Sequence, residues 1–256
     1  MKSAKKYIFF SVIIGLLITS CASKQNILYL QDTPSSSEIT SSYDTKIKSD
    51  DILLIIVSSE NAEVAAPYNL KLVSIQNHKQ GNIINEQMQS YIVDKKGEID
   101  FPLIGNIKLG GLTKTEAVAT IKDKLKEHVS DAVVNLRILN YKITVLGEVN
   151  KPGAVSIPSE RITILEALGM AGDLTIYGNR KNVLLIREVN GVKTMNRIDL
   201  TKTDFVSSPY YYLDQNDVIY VEPNKTKVNS SVIGPNVSVG ISVVSLIITV
   251  IVLVTQ

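Results

Sequence analysis

Apolar residues fall along the chain in short runs that change period several times. "DILLIIV" (Asp51 to Val57) is a continuous β-branched run and predicts a strand buried on both faces. The stretch 66–90 is polar with no clear period and reads as a long loop, with short helical turns at most. Tyr91 to Gly105 reads as strand, turn, strand, with "DKKG" (Asp94 to Gly97) as the turn and Pro102 marking an edge or bulge. Ala117, Ile121 and Leu125 recur every four residues after Thr113 and Glu116, a capping-box pair, so Gly111 to Val129 predicts an amphipathic helix. In Ala132 to Ile138, Val134, Leu136 and Ile138 alternate with Asn135 and Arg137, a half-buried strand.

A second unit follows. Lys142 to Ile157 predicts two strands around Pro152 and Gly153. Thr163 to Asp173 is a short helix opened by a second capping box, Thr163 and Glu166, and closed by Gly172. Asn182 to Leu200 is a hairpin around Asn190 and Gly191, and Tyr210 to Pro223 predicts a last pair of strands. Gly97, Glu98, Pro102, Thr113, Glu116 and Ala117 recur fifty positions on as Gly147, Glu148, Pro152, Thr163, Glu166 and Ala167, which suggests a repeated module.

The two ends are apolar in different ways. Lys2, Lys5 and Lys6 precede an apolar core from Ile8 to Ile18, the layout of a secretory signal. "ITSC" (Ile18 to Cys21) resembles the lipobox of bacterial lipoproteins, and Cys21 is the only cysteine. A solitary cysteine in a secreted chain has no internal disulfide partner, whereas a lipid on its sulfur accounts for it. Residues 22–42 are rich in serine and threonine and read as a linker. At the other end, Val237 to Val254 carries no charge and predicts a membrane helix. Its polar residues, Ser238, Ser242, Ser245 and Thr249, are spaced four, three and four, which gathers them within about 60° of arc. Such a row fits hydroxyls bonding back to the preceding turn, close packing between neighbouring helices, or the wall of a water-filled pore. Gly234 and Pro235 precede it as a natural hinge.

Charge and chemistry narrow the function. The chain has 27 Lys+Arg against 25 Asp+Glu; without the three lysines of the signal the balance is 24 against 25. Neither figure suits a nucleic-acid partner. His78 and His128 are the only histidines, and no metal-ligand spacing, phosphate loop or nucleophile elbow is present. Neither a cofactor nor catalysis is expected. Asp50–Asp51 and Asp214–Asp217 sit at strand entrances, where turn hydrogen bonding is the common role. "YYYL" (Tyr210 to Leu213) reads as packing tyrosines with polar tips.

"YDTKIKSDDILLIIV" (Tyr43 to Val57) and "VDKKGEIDFPLIGNIKLGGLTKTEA" (Val93 to Ala117) resemble the polysaccharide export domain, with Ser49 where the family usually has glycine. "VLGEVNKPGAVSI" and "TILEALGMAGDLTIYGNRKNVLLIR" (Thr163 to Arg187) resemble a soluble-ligand-binding β-grasp (SLBB) domain. The chain is thus identified as similar to outer-membrane capsular and exopolysaccharide export lipoproteins. The resemblance implies an α+β protein of two small periplasmic domains followed by a C-terminal transmembrane helix. It further implies a homo-oligomeric ring, typically an octamer, whose C-terminal helices form a barrel, and an inner-membrane copolymerase that delivers polysaccharide. The expected division is a signal peptide at 1–20, a lipidated linker at 21–42, an export domain at 43–140, a β-grasp domain at 141–223, a hinge at 224–235 and a transmembrane helix at 236–256. Ala22, where aspartate would signal inner-membrane retention, leaves the outer membrane as the expected location, with lipid at Cys21 and the main body in the periplasm. The rival is a periplasmic ligand- or glycan-binding scaffold lipoprotein with a simple C-terminal anchor.

Overall fold

The computed structural model describes residues 24–32, 44–78, 81–189, 191–232, 239–240, 242–243, 245–247 and 249–250, with the side chains of 73–86 left aside. Two hydrophobic cores organise these residues. One runs from Ile47 to Leu136, the other from Tyr141 to Val221.

In the first unit, β1 (Ile52–Ser58) lies between β4 (Ser90–Ile92) and β7 (Val133–Ile138), antiparallel to both. Helix α2 (Lys114–Leu125) places Ala117, Ile121 and Leu125 against the inner face, and all three are fully buried. Its capping box forms as the spacing predicts: the Glu116 amide donates to the Thr113 hydroxyl, and the Thr113 amide donates to the Glu116 carboxylate at 2.8 Å. Strands β5 (Glu98–Phe101) and β6 (Gly105–Lys108) form a separate hairpin whose Ile99, Phe101 and Ile107 join the same core.

The "DILLIIV" strand departs from its expectation. Leu53, Ile55 and Val57 are buried, but Ile52, Leu54 and Ile56 are only half-buried on the other face. The stretch expected to be a loop is a short helix, α1 (Ala62–Ala65), a 3-10 turn, and a ribbon of β2 (Lys71–His78) and β3 (Gly81–Met88) in full antiparallel register. The ribbon is rich in Asn, Gln and Ser, so it lacks the alternation that marks a strand resting on a core.

The second unit is a five-stranded sheet. It comprises β8 (Lys142–Gly147), β9 (Gly153–Ser156), β10 (Gly178–Val189), β11 (Val192–Ile198) and β12 (Val218–Pro223), in the spatial order β11-β10-β12-β8-β9. Strand β12 runs parallel to β8, and every other pairing in this sheet is antiparallel. Helix α3 (Ile164–Met170) covers one face through Ile164, Ala167 and Leu168. Gly172 follows at φ +75, as a helix-ending glycine should. Gly147 is held by contact: at φ +89, a Cβ there would lie 2.0 Å from the Val221 carbonyl oxygen. The last expected pair of strands is a single strand, β12; Tyr212 contributes only an isolated bridge to Thr163.

The fifty-residue echo resides in cap and turn chemistry. Both capping boxes form and both alanines are buried. Gly97, however, precedes β5 whereas Gly147 ends β8, so the strands do not correspond position by position.

The C-terminal expectation is overturned. Among the described residues no helix is long and apolar enough to cross a membrane. The last continuous helix, α4 (Lys225–Val232), is eight residues of polar sequence, "KTKVNSSV". Beyond it, helical residues are described at 239–240, 242–243, 245–247 and 249–250. The sequence shows that the run is uncharged and apolar, but apolarity does not by itself fix one unbroken helix over it.

Candidate functional site

The junction of the two units carries a dense arrangement of polar side chains. Asn140 stitches it. Its side chain accepts from the Ile52 amide and donates to the Asp50 carbonyl, each at 2.9 Å, while its own carbonyl accepts from Gln215 Nε2 at 2.9 Å. Tyr141 donates to the Leu213 carbonyl at 2.6 Å, and burial pushes its hydroxyl well above the usual tyrosine range.

Beside this stitch lies a buried ionic cluster. Arg187 on β10 grips Asp217 with Nε at 3.1 Å from both oxygens and Nη2 at 2.7 Å from Oδ2. Its Nη2 also donates to the Tyr212 carbonyl at 2.8 Å, and its guanidinium faces the Tyr210 ring. Asp214 sits 3.7 Å from Arg187 and 3.0 Å from Lys48 Nζ, which reaches over from the first unit. Burial, with Asp217 adding its negative charge, raises the Asp214 carboxyl to about 6, and burial lowers the Lys48 ammonium. Desolvation here exceeds mutual attraction, as it commonly does for buried pairs. Asp51 is 1% exposed, accepts from the Lys48 amide at 2.8 Å, and is raised by burial to about 6; its second oxygen has no hydrogen-bond partner among the described residues.

The sequence reading of Asp51 and Asp217 as turn acceptors is correct as far as it goes, since Asp217 also accepts from the Asp214 amide at 2.8 Å. It missed Arg187 and Lys48. Arg187 interrupts the apolar run "NVLLIREV" at a position whose parity points inward, and that is a legible signal of a buried charge.

Next to the ionic cluster, the two units enclose a cavity of about 550 Å³. Thr45, Lys114 and Arg137 line it from the first unit, Tyr141 from the junction, and Glu160 and Arg161 from the second. Thr45 donates to the Glu160 carbonyl at 2.9 Å, Lys114 pairs with the Glu160 carboxylate, and Arg161 lies over the Tyr212 ring. This lining offers hydroxyls, guanidinium groups and carboxylates to a polar ligand. No cluster of metal-ligating side chains occurs among the described residues, so none of them assembles a metal centre.

The residues before β1 also engage the second unit. Tyr29 donates to Asp173, its ring lies under the Arg180 guanidinium, and the Leu30 and Gln31 amides donate to the Leu200 and Thr201 carbonyls at 3.1 and 2.7 Å. The chain that leads from Cys21 is thereby docked on the second unit close behind the expected lipid site. Cys21 itself, Ser238, Gly234 and Pro235 lie outside the described residues. Ser242, Ser245 and Thr249 are helical and exposed, and the Thr249 hydroxyl bonds back to the Ser245 carbonyl at 2.9 Å.

Comparison with known proteins matches this division of the chain. A family model described as a polysaccharide biosynthesis/export protein covers residues 40–139, and one described as an SLBB domain covers residues 141–221. The EPS I polysaccharide export outer membrane protein EpsA of Ralstonia solanacearum is 30% identical over 153 residues, 57% of this chain and 40% of the relative. The protein of the same name from Ralstonia nicotianae is 36% identical over 104 residues, 39% of this chain and 27% of the relative. The matched part of the chain thus spans two-fifths or less of these relatives' length.

Proposed function

The chain belongs to the polysaccharide export family and is an outer-membrane protein, and from that premise we propose that it is a non-catalytic lipoprotein component of a polysaccharide export conduit. Lipid on Cys21 holds it at the membrane, with the export and SLBB domains in the periplasm. Several copies close into a ring whose lumen passes a capsular or exopolysaccharide handed on by an inner-membrane copolymerase. Gly234 and Pro235 joint the C-terminal segment to the body, and the row Ser238, Ser242, Ser245 and Thr249 faces the lumen, where hydroxyls without fixed charge would let a sugar chain slide. The observation that carries this reading is the pair of domains, in family order, sharing the Asn140 stitch and the Lys48–Asp214 contact. Two domains joined in this way would serve together as one stave of a larger assembly.

The 550 Å³ cavity favours a second reading, a monomeric scaffold lipoprotein that holds a small glycan between its domains. Deleting the gene and staining the cells for surface polysaccharide separates the two. Loss of surface polysaccharide, restored by the wild-type gene but not by Cys21→Ser, supports export. Unchanged surface polysaccharide in a strain without a second copy defeats it.

A further inference from the structure

One loop of the SLBB domain, Asp173 to Lys181, holds the segments by which the chain enters and leaves its folded body. On the entering side, Tyr29 donates to Asp173 and its ring lies 5.2 Å from the Arg180 guanidinium. The 3-10 turn Lys24–Asn26 ahead of it packs against β10. On the leaving side, the Asn224 amide donates to the Tyr177 carbonyl at 2.7 Å and its side chain to the Ile176 carbonyl at 3.3 Å. As α4 begins, Lys227 lies over the Tyr177 ring. The loop is also braced from within. Arg180 is buried, and its Nη1 donates to the Thr175 and Gly178 carbonyls at 3.3 and 3.2 Å. The Gly178 amide donates to the Thr175 carbonyl at 3.0 Å, and the Thr175 hydroxyl donates to Glu148 at 2.8 Å. Fixed in this way, the middle of the loop holds Ile176 56% and Tyr177 40% exposed.

We propose that this loop is the surface on which the folded body rests against a phospholipid leaflet: Ile176 and Tyr177 enter the headgroup layer, and Lys24, Lys181, Lys225 and Lys227 meet its phosphates. This rests on the lipid at Cys21 in the conduit reading and adds where the body touches the bilayer. Three observations favour it. The first is reach. Lys24 lies three residues from Cys21 and Tyr29 eight. A fully extended chain covers at most about 3.6 Å per residue, so a lipidated Cys21 keeps Lys24 within about 11 Å and the docked Tyr29 within about 29 Å. The second is side-chain type. An aliphatic residue beside a tyrosine, ringed by lysines whose stems lie along apolar surface, suits the boundary between hydrocarbon and water. The third is charge. All four lysines are exposed, and none pairs with a carboxylate among the described residues. The neighbouring acids are engaged, Asp173 by Tyr29 and Glu148 by Thr175. Each lysine close to an anionic leaflet strengthens the contact about fivefold.

The chain has no tryptophan, so Ile176→Trp places a single fluorescent reporter in the full-length lipoprotein. Val192→Trp is the control: Val192 is 64% exposed and pairs with Val189, at the end of β10 away from the loop. Each variant is reconstituted into vesicles of phosphatidylethanolamine and phosphatidylglycerol with brominated acyl chains, which quench a tryptophan that enters the bilayer. The reporter at 176 should lose its emission while the reporter at 192 keeps it. Adding Lys181→Glu and Lys225→Glu should restore part of the emission at 176. Tyr177→Trp carries the reporter should Ile176→Trp lose its circular-dichroism melt. Equal quenching at both positions, quenching at 192 alone, or quenching at neither overturns the inference; where intact mass shows acyl chains on Cys21, the conduit reading still stands. Quenching at 176 that the charge reversal leaves untouched removes the lysines from the contact. A Cys21 without acyl chains overturns the lipoprotein reading and this inference together.

Discussion

Replacing Arg187 by methionine tests whether the ionic cluster holds the second domain together. The side chain is of similar length and apolar, so packing along the stem is largely kept. What is lost is the cation that grips Asp217, 1% exposed, and one of the two cations within reach of Asp214 among the described residues. Removing one partner of a buried pair leaves an uncompensated charge and costs about 3–5 kcal/mol. The Tyr212 carbonyl also loses its donor, which lies within the same range. Urea unfolding followed by circular dichroism at pH 7 should show this as a lower midpoint with an unchanged slope. At pH 5 the deficit should shrink, because an orphaned buried carboxylate takes up a proton instead of remaining charged. The double variant Arg187→Met, Asp217→Asn should recover part of the loss, since asparagine is neutral and its oxygen can still accept from the Asp214 amide. A deficit under about 1 kcal/mol, the scale of an exposed pair, or one identical at pH 5 and pH 7, would refute the reasoning.

Three further outcomes are expected. Gly147→Ala should prevent accumulation of folded protein, because the added carbon collides with the Val221 carbonyl at a positive φ; a thermal melt within a few degrees of wild type would contradict the packing described. Asp51 and Asp214 are both held near 6 against an ordinary 3.8, so the folded protein binds more protons than the unfolded chain between about pH 4 and pH 6. Their contribution to stability therefore declines as pH rises through that window, and Asp51→Asn with Asp214→Asn should flatten the decline in a melting series; an unchanged series removes these groups as its cause. Cysteines placed singly at Ser242, Ser245 and Thr249 should react with a water-soluble thiol reagent in the assembled protein while those at Ile247 and Val250 stay protected, and equal labelling of the two sets counts against a lumen-facing row.

The parts of the fold that rest on local chemistry were readable residue by residue. Thr113 with Glu116, and Thr163 with Glu166, announce two helix starts because a hydroxyl and a carboxylate three positions apart satisfy two orphan amides at once. Asn190 and Gly191 mark a hairpin because the turn needs a positive φ, which Gly191 adopts at +78. The β2–β3 ribbon was not readable. Its register is held by backbone pairing, and a sequence of Asn, Gln and Ser carries no record of which backbone it pairs with. The junction was half readable: Asp51, Asp214 and Asp217 stood out as turn residues, but Arg187 lies thirty positions from Asp217 and Lys48 far from Asp214, and only the fold brings them together. An uncharged run at the C-terminus misled for the opposite reason. Apolarity is legible, whereas continuity of a membrane-length helix is not, and no such helix occurs among the described residues.

Strand β1 carries information in the very place where its sequence and its burial disagree. Seven consecutive residues from Asp51 to Val57 with six apolar side chains predict burial on both faces, yet α2 and its neighbours cover one. Two explanations compete. Selection for β-propensity alone would favour β-branched residues on both faces regardless of burial, and then the bare face would tolerate Thr in place of Ile. A face buried in an assembly would not. Ile56 lies on the half-buried face, and Ile56→Thr keeps the branch and the strand propensity while adding a hydroxyl. If propensity is the cause, the variant should match wild type in both melting temperature and native mass. If the face is buried in an assembly, the substitution should lower the native mass or the melting temperature, since a hydroxyl buried without a partner costs about 1–3 kcal/mol. A variant unchanged in both leaves strand propensity as the cause of the apolar run.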